Sequence, residues 1–206
     1  MPLTTPGFDA DRAHTSETLM ELSEVPEHLV VIGGGYVACE LGQAYRRFGA
    51  AVTMVQSRKH LLPREEPDIS TVLERVFSSE GIELQLGSQP VRVEHSSGGS
   101  VRVTVRDAEG AQQVVEGSHL LVATGRRPNT DTLDLDAAGV RTDDRGYVVV
   151  NDRLEATTPG IWAVGDVNGY RPFTRVCQEQ GKLARSILRS LAPDEARGPL
   201  VAGDVV

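Results

Sequence analysis

Apolar and polar positions along this chain change rhythm several times, and each change predicts an element. Leu29 to Ile32 is a short apolar run, rich in β-branched residues and too brief for a core helix, so it predicts a buried parallel strand. A helical spacing follows from Tyr36 to Phe48 and closes at Gly49, a residue suited to end a helix. Ala51 to Val55 reads as the next strand, which completes a β-α-β unit. Asp68 stands where a helix N-cap is expected ahead of Ile69 to Glu80, with Gly81 as the stop and Ile82 to Leu86 as a third parallel strand. Three alternating segments come next, Val91 to Glu94, Val101 to Arg106 and Gln113 to Glu116. Turns of sequence SSGG and DAEG separate them, which predicts a β-meander. His119 to Ala123 is apolar again and returns the chain to the parallel sheet. Beyond it the chain is rich in loops, with a short strand at Tyr147 to Val150, a buried strand at Ile161 to Val164 and a helix from Thr174 to Ser190. Residues 1–25 read as an entering linker with a short helix near Glu17 to Leu22, and residues 192–206 as a loose or disordered tail. The fold class expected is α/β, a Rossmann-like parallel sheet with helices and a β-meander.

Between the first strand and the first long helix lies Gly33-Gly34-Gly35. Gly33, Gly35 and Ala38 together form a G-x-G-x-x-A dinucleotide fingerprint. Gly33 permits a tight turn, Gly35 leaves its backbone open to a pyrophosphate, and Ala38 lets the helix lie close to the strand. The free N–H groups at the helix start then face the phosphates. In such units an acidic residue at the end of the second strand bonds the ribose 2′-hydroxyl and selects NAD. Here that place holds Gln56, followed by Ser57, Arg58 and Lys59. An uncharged Gln56 does not repel a 2′-phosphate and Arg58 is able to grip one, so NADP is favoured over NAD. A solvated basic loop is the plainer reading of the same residues.

Composition narrows the function classes. With 206 residues, 39% of them hydrophobic and 24% charged, the chain suits one large or two small globular domains. A formal net charge of −8 argues against a general nucleic-acid or acidic-membrane binder. No apolar run approaches the roughly 18 residues a membrane span needs, and the first residues have neither the basic nor the apolar part of a secretory signal, so a cytoplasmic protein is expected. Cys39 and Cys177 belong to no C-x-x-C pair or metal cluster and read as core thiols; no metal is expected. No Tyr-x-x-x-Lys pair is present, which disfavours a short-chain-type dehydrogenase.

Four blocks stand in order: VVIGGGYVACELGQAYRRFG, the meander, LLVATGRRPNT and TTPGIWAVGDVNG. Over roughly residues 20–190 the chain resembles the flavoprotein disulfide reductases that bind FAD and NAD(P)H, a family that includes dihydrolipoamide dehydrogenase, glutathione reductase and mercuric reductase. The resemblance implies that residues 26–125 are the NAD(P)H-binding domain and residues 126–191 the second half of the FAD-binding domain. It also implies hydride transfer between NAD(P)H and FAD. By the same resemblance Tyr36 gates the nicotinamide pocket and Glu40 holds the carboxamide. Thr124, Gly125 and Arg126 form the crossover that touches the cofactors. Gly165 and Asp166 meet the ribityl chain, and the helix beginning at Thr174 points its positive end at the flavin.

The chain also departs from the family pattern. It carries one G-x-G-x-x-A, no pair of cysteines separated by four residues, and no interface domain with a His-Glu pair. It therefore reads as a truncated relative with a partial FAD site, to which a partner chain would bring the missing FAD half. A non-enzymatic NADP(H)-binding remnant or sensor is the alternative. The tail has no cysteine pair of the kind a mercury-handling member uses.

Overall fold

The computed structural model describes residues 4–170, 172–191 and 200–201, and the chain divides after Gly125 into two compact units. The first is built on a four-stranded parallel sheet of order β3-β2-β1-β7, where β1 is His28–Ile32, β2 Ala51–Gln56, β3 Glu83–Leu86 and β7 His119–Val122. β1 is central, with Leu29 opposite Val52 on one side and His119 on the other. Its apolar residues are buried on both faces, as a parallel strand requires. Leu29 and Val31 face a helical layer made by α1 (Ser16–Met20), α2 (Tyr36–Phe48) and α3 (Pro67–Ser79). Val30 and Ile32 face the antiparallel meander of β4 (Gln89–His95), β5 (Val101–Arg106) and β6 (Gln112–Gly117), meeting Val93, Val103, Val105 and Val115. Alternation in β5 sends Val101, Val103 and Val105 inward, as its sequence predicts.

α2 has the expected bounds. Gly49 ends it in the left-handed region at φ 111°, and its N–H returns to the carbonyls of Tyr45 and Arg46. Gly42, inside the helix, faces β2: a Cβ there would stand 3.4 Å from the Met54 sulfur, in ordinary contact. α3 begins earlier than expected. Pro67 opens it with Glu66 as N-cap, so Asp68 lies in the first turn and does not cap. The fixed φ of proline suits the first helical position, and Asp68 there still meets the positive end of the dipole.

The segment expected to be an entering linker is held against the sheets. The carbonyl of Pro6 accepts from Val93 N–H at 3.0 Å, at the free edge of β4. His14 lies beside the free edge of β7, donating to Leu120 C=O at 2.7 Å and accepting from Val122 N–H at 2.9 Å. Covering edges in this way needs backbone groups and no side-chain rhythm, so the sequence pattern is silent about it.

The second unit has a small apolar core of Leu135, Val140, Val148, Ala156, Ile161, Ala163 and Val167. A neighbouring cluster joins Leu154 and Trp162 to Ile187 of α4 (Thr174–Ser190), again with the expected bounds. Tyr147 to Val150 is not a strand. Val148 N–H bonds Val167 C=O and Val149 N–H bonds Arg141 C=O, so the segment changes partner from residue to residue and no ladder forms. β8 shrinks to Trp162–Ala163 and pairs in parallel with β9, Leu200–Val201, a pairing that the reading of a loose tail does not foresee. The rest of 192–206 lies outside the described residues. Among those described, no helix is long and apolar enough to cross a membrane.

Candidate functional site

The glycine turn sits at the carboxyl end of β1, where neighbouring strands diverge to β2 on one side and β7 on the other. In open α/β sheets ligands bind at such a switch point. Gly33 adopts φ 125°, donates to Val55 C=O at 2.9 Å, and lies so near β7 that a Cβ would come within 2.4 Å of Ala123 O. Gly34 lies over the side chain of Gln56, and a Cβ would meet it at 2.6 Å. Gly35 differs: as N-cap of α2 its backbone is extended at φ −82°, and a Cβ would find nothing within 4 Å. No side chain caps this helix and no acidic residue lies in its first turn. The opening of α2 thus presents N–H donors and a positive dipole end to open space, the donor set that phosphates require. Ala38, fully buried, packs in the core between α2 and the sheet.

Gln56 is buried, and its amide donates toward His60 C=O at 3.4 Å, so its side chain is held under the glycine turn. Ser57, Arg58 and Lys59 are exposed. Their backbone is fixed from β3 onward by Gly87 N–H donating to Arg58 C=O at 2.9 Å and Ser88 N–H donating to Gln56 C=O at 3.0 Å. Tyr36 and Glu40 are both exposed and lie one turn apart at the start of α2. The Tyr36 hydroxyl donates to the carboxylate of Glu65, a residue that no sequence signal singles out.

Thr124 and Gly125 close the first unit and are exposed; Arg126 opens the second. Arg126 lies 3.9 Å from one carboxylate oxygen of Asp166, and the Cys177 thiol donates to the other at 3.3 Å. Gly165 and Asp166 follow β8 at the head of a short turn, braced from below. Gln180 Oε1 accepts from Gly165 N–H at 2.7 Å and from the Asn168 amide at 3.0 Å, and that amide also donates to Ala163 C=O at 3.0 Å. Sequence reasoning missed Asn168 and Gln180. The available signal was Gln180 itself, a polar residue on the apolar stripe of α4 with Ala184 and Ile187. Thr174 is the first residue of α4, whose N-cap Phe173 offers no side-chain bond.

Burial, with the Glu40 charge beside it, pushes the Cys39 thiol up to about 12. Burial and the bond to Asp166 raise Cys177. Cys177 is half-buried and serves as a hydrogen-bond donor, which corrects its reading as a core thiol. Both thiols stay protonated at neutral pH, so neither is an activated nucleophile. At pH 8 a thiol-reactive dye should label the native chain far more slowly than the unfolded chain. Equal rates would contradict the protonated, shielded state assigned to both.

Comparison with known proteins adds the identity of the fold. The family model described as pyridine nucleotide-disulphide oxidoreductase matches residues 1–181. The chain belongs to the pyridine nucleotide-disulphide oxidoreductase family. It is 43% identical over 177 residues to a mercuric reductase of Streptomyces lividans, covering 86% of this chain and 37% of that protein. It is 37% identical over 168 residues to a dihydrolipoyl dehydrogenase of Thermus scotoductus, covering 81% and 36% respectively. Among solved structures, the HOCl-induced flavoprotein disulfide reductase RclA from Escherichia coli superposes with a TM-score of 0.82 at 31% identity, over 95% of this chain and 44% of that one. The chain therefore spans less than half the length of these relatives. Likeness to a mercuric reductase over so partial a span does not carry that protein's substrate to this one. The α/β fold read from the sequence is the fold of these flavoprotein reductases.

Proposed function

We propose that residues 26–125 bind NADP(H) and that residues 126–191 form the second half of an FAD-binding domain, within a protein that moves hydride between the two. The observation that carries the reading is the glycine turn: open space over Gly35 in front of an uncapped α2. The nucleotide's phosphates rest on the first N–H groups of α2. Arg58, with Ser57 and Lys59, takes the 2′-phosphate, while Gln56 keeps the turn in shape from beneath. Tyr36 and Glu40 receive the nicotinamide end. On the flavin side the Asp166 carboxylate keeps lone pairs to accept a ribityl hydroxyl beside the bonds it already has. Arg126 stands beside Asp166, Thr124 and Gly125 belong to the crossover segment before it, and the start of α4 at Thr174 offers its positive end. FAD, when bound, supplies the hydride acceptor. A partner chain or a further stretch of the same protein supplies the other FAD half, and the setting is cytoplasmic.

Calorimetric titration of wild type and Arg58→Ala with both nucleotides tests the choice of NADP. The substitution should weaken NADPH about tenfold and NADH by less than about twofold, since only NADPH carries the phosphate that the guanidinium grips. Equal losses for both would contradict the preference.

A further inference from the structure

The loop of residues 57–66 is fastened back over the glycine turn. Leu62 N–H donates to Gly34 C=O at 2.7 Å, and Leu61 N–H donates to Glu74 of α3 at 2.9 Å. Leu62 itself adopts φ 47°, a conformation leucine takes only when its surroundings impose it. A few residues on, Glu65 accepts the Tyr36 hydroxyl. One loop therefore carries the basic residues assigned to the 2′-phosphate, lies on the glycine turn and holds the aromatic ring at the start of α2. We propose that Glu65 is a positioning residue that latches Tyr36, so that the nicotinamide end of the nucleotide binds only after the phenol leaves the carboxylate. This rests on the reading that Tyr36 receives the nicotinamide.

The geometry gives the direction of the effect. Tyr36 is the first residue of α2, and helical side chains lean toward the N-terminus, so its ring stands on the side of the glycine turn. A bond from a phenol to a carboxylate is charge-assisted and favours the latched orientation. A nucleotide that needs the other orientation then binds with an apparent affinity reduced by the fraction unlatched. The adenosine end, held at Arg58 and Lys59, does not depend on that fraction.

NADPH and 2′,5′-ADP, which has the phosphate but no nicotinamide, are titrated into wild type, Glu65→Ala, Glu65→Gln, Tyr36→Phe and the Glu65→Ala/Tyr36→Phe double variant. Glu65→Ala and Tyr36→Phe should each tighten NADPH about three- to tenfold, as a latch populated for most of the time implies. The double variant should be no tighter than either single one, because both remove the same bond. Glu65→Gln keeps an oxygen that accepts the phenol but loses the charge that strengthens the bond, so its gain should be clearly smaller than that of Glu65→Ala. All five proteins should bind 2′,5′-ADP alike. If Glu65→Gln tightens NADPH as much as Glu65→Ala, loss of a negative charge near the phosphates explains the gain and the latch is overturned. Unchanged or weaker NADPH binding in Glu65→Ala overturns it too, with the nucleotide site left standing. Failure of wild type to bind either compound overturns the site itself and the latch with it.

Discussion

Valine at position 35 should abolish NADPH binding and leave the protein folded. Gly35 has an ordinary extended backbone, φ −82° and ψ −176°, that any residue adopts. A Cβ there would touch nothing within 4 Å. The fold should therefore lose no more than about 1 kcal/mol, the scale of a changed N-cap. The nucleotide meets a different situation. The empty space over Gly35 is where a phosphate must approach to reach the N–H groups of α2, and a branched side chain fills it. Losing two or more charge-assisted hydrogen bonds, each contributing roughly 1.5–3 kcal/mol, weakens binding by more than about 100-fold. Titration of the variant beside a thermal melt separates the two effects. A folded variant with unchanged affinity would mean that the phosphates lie elsewhere.

Two residues earlier the same kind of change should act on the fold. At Gly33 the backbone stands at φ 125°, and a Cβ would press within 2.4 Å of Ala123 O and 2.8 Å of Ala123 C. Those are backbone atoms at the end of the strand beside β1, and Ala123 N–H is itself bonded to Ile32 C=O at 2.8 Å. Neither side can yield without opening the sheet at its centre. Gly33→Ala combines an unfavourable backbone region, about 1–2 kcal/mol, with overpacking of about 1–3 kcal/mol, so a loss of roughly 2–5 kcal/mol is expected in chemical denaturation. A loss below about 1 kcal/mol would show that the turn is not seated on β7 as described. The contrast lies in the backbone of the two positions: Gly33 is seated against Ala123 as a tight turn needs, and Gly35 faces open space, the two roles that the motif predicts for them.

Sequence rhythm was enough for α2 and α4 because each has an apolar stripe and, for α2, a glycine at the stop; both have the bounds their pattern predicts. The same holds for β5, whose alternating valines face the sheet. What escaped had its cause outside local pattern. Asp68 has the side chain of an N-cap and so points to a start at Ile69, while Pro67 sets the first helical φ without a capping side chain. Residues around Pro6 and His14 are tied by backbone bonds to strand edges far along the chain. Tyr147 to Val150 looks like a strand by composition, yet it finds a different partner at each residue. Around the glycine turn, the tight turn at Gly33, the open face at Gly35 and the buried Ala38 are legible because spacing alone prescribes them. Glu65, Asn168 and Gln180 are not, since each acts through a contact that only the folded chain creates. Gln56 was legible as a position but not as a buried side chain held under the turn.

The central claim is that this chain forms a dinucleotide site at the end of β1. Calorimetric titration of the wild-type chain with NADPH tests it most directly, with NADH in parallel and 2′,5′-ADP as competitor. The structure predicts saturable binding at one site, tighter for NADPH than for NADH, and displaced by 2′,5′-ADP. No heat of binding from either nucleotide at millimolar concentration, with the protein shown to be folded, would contradict it.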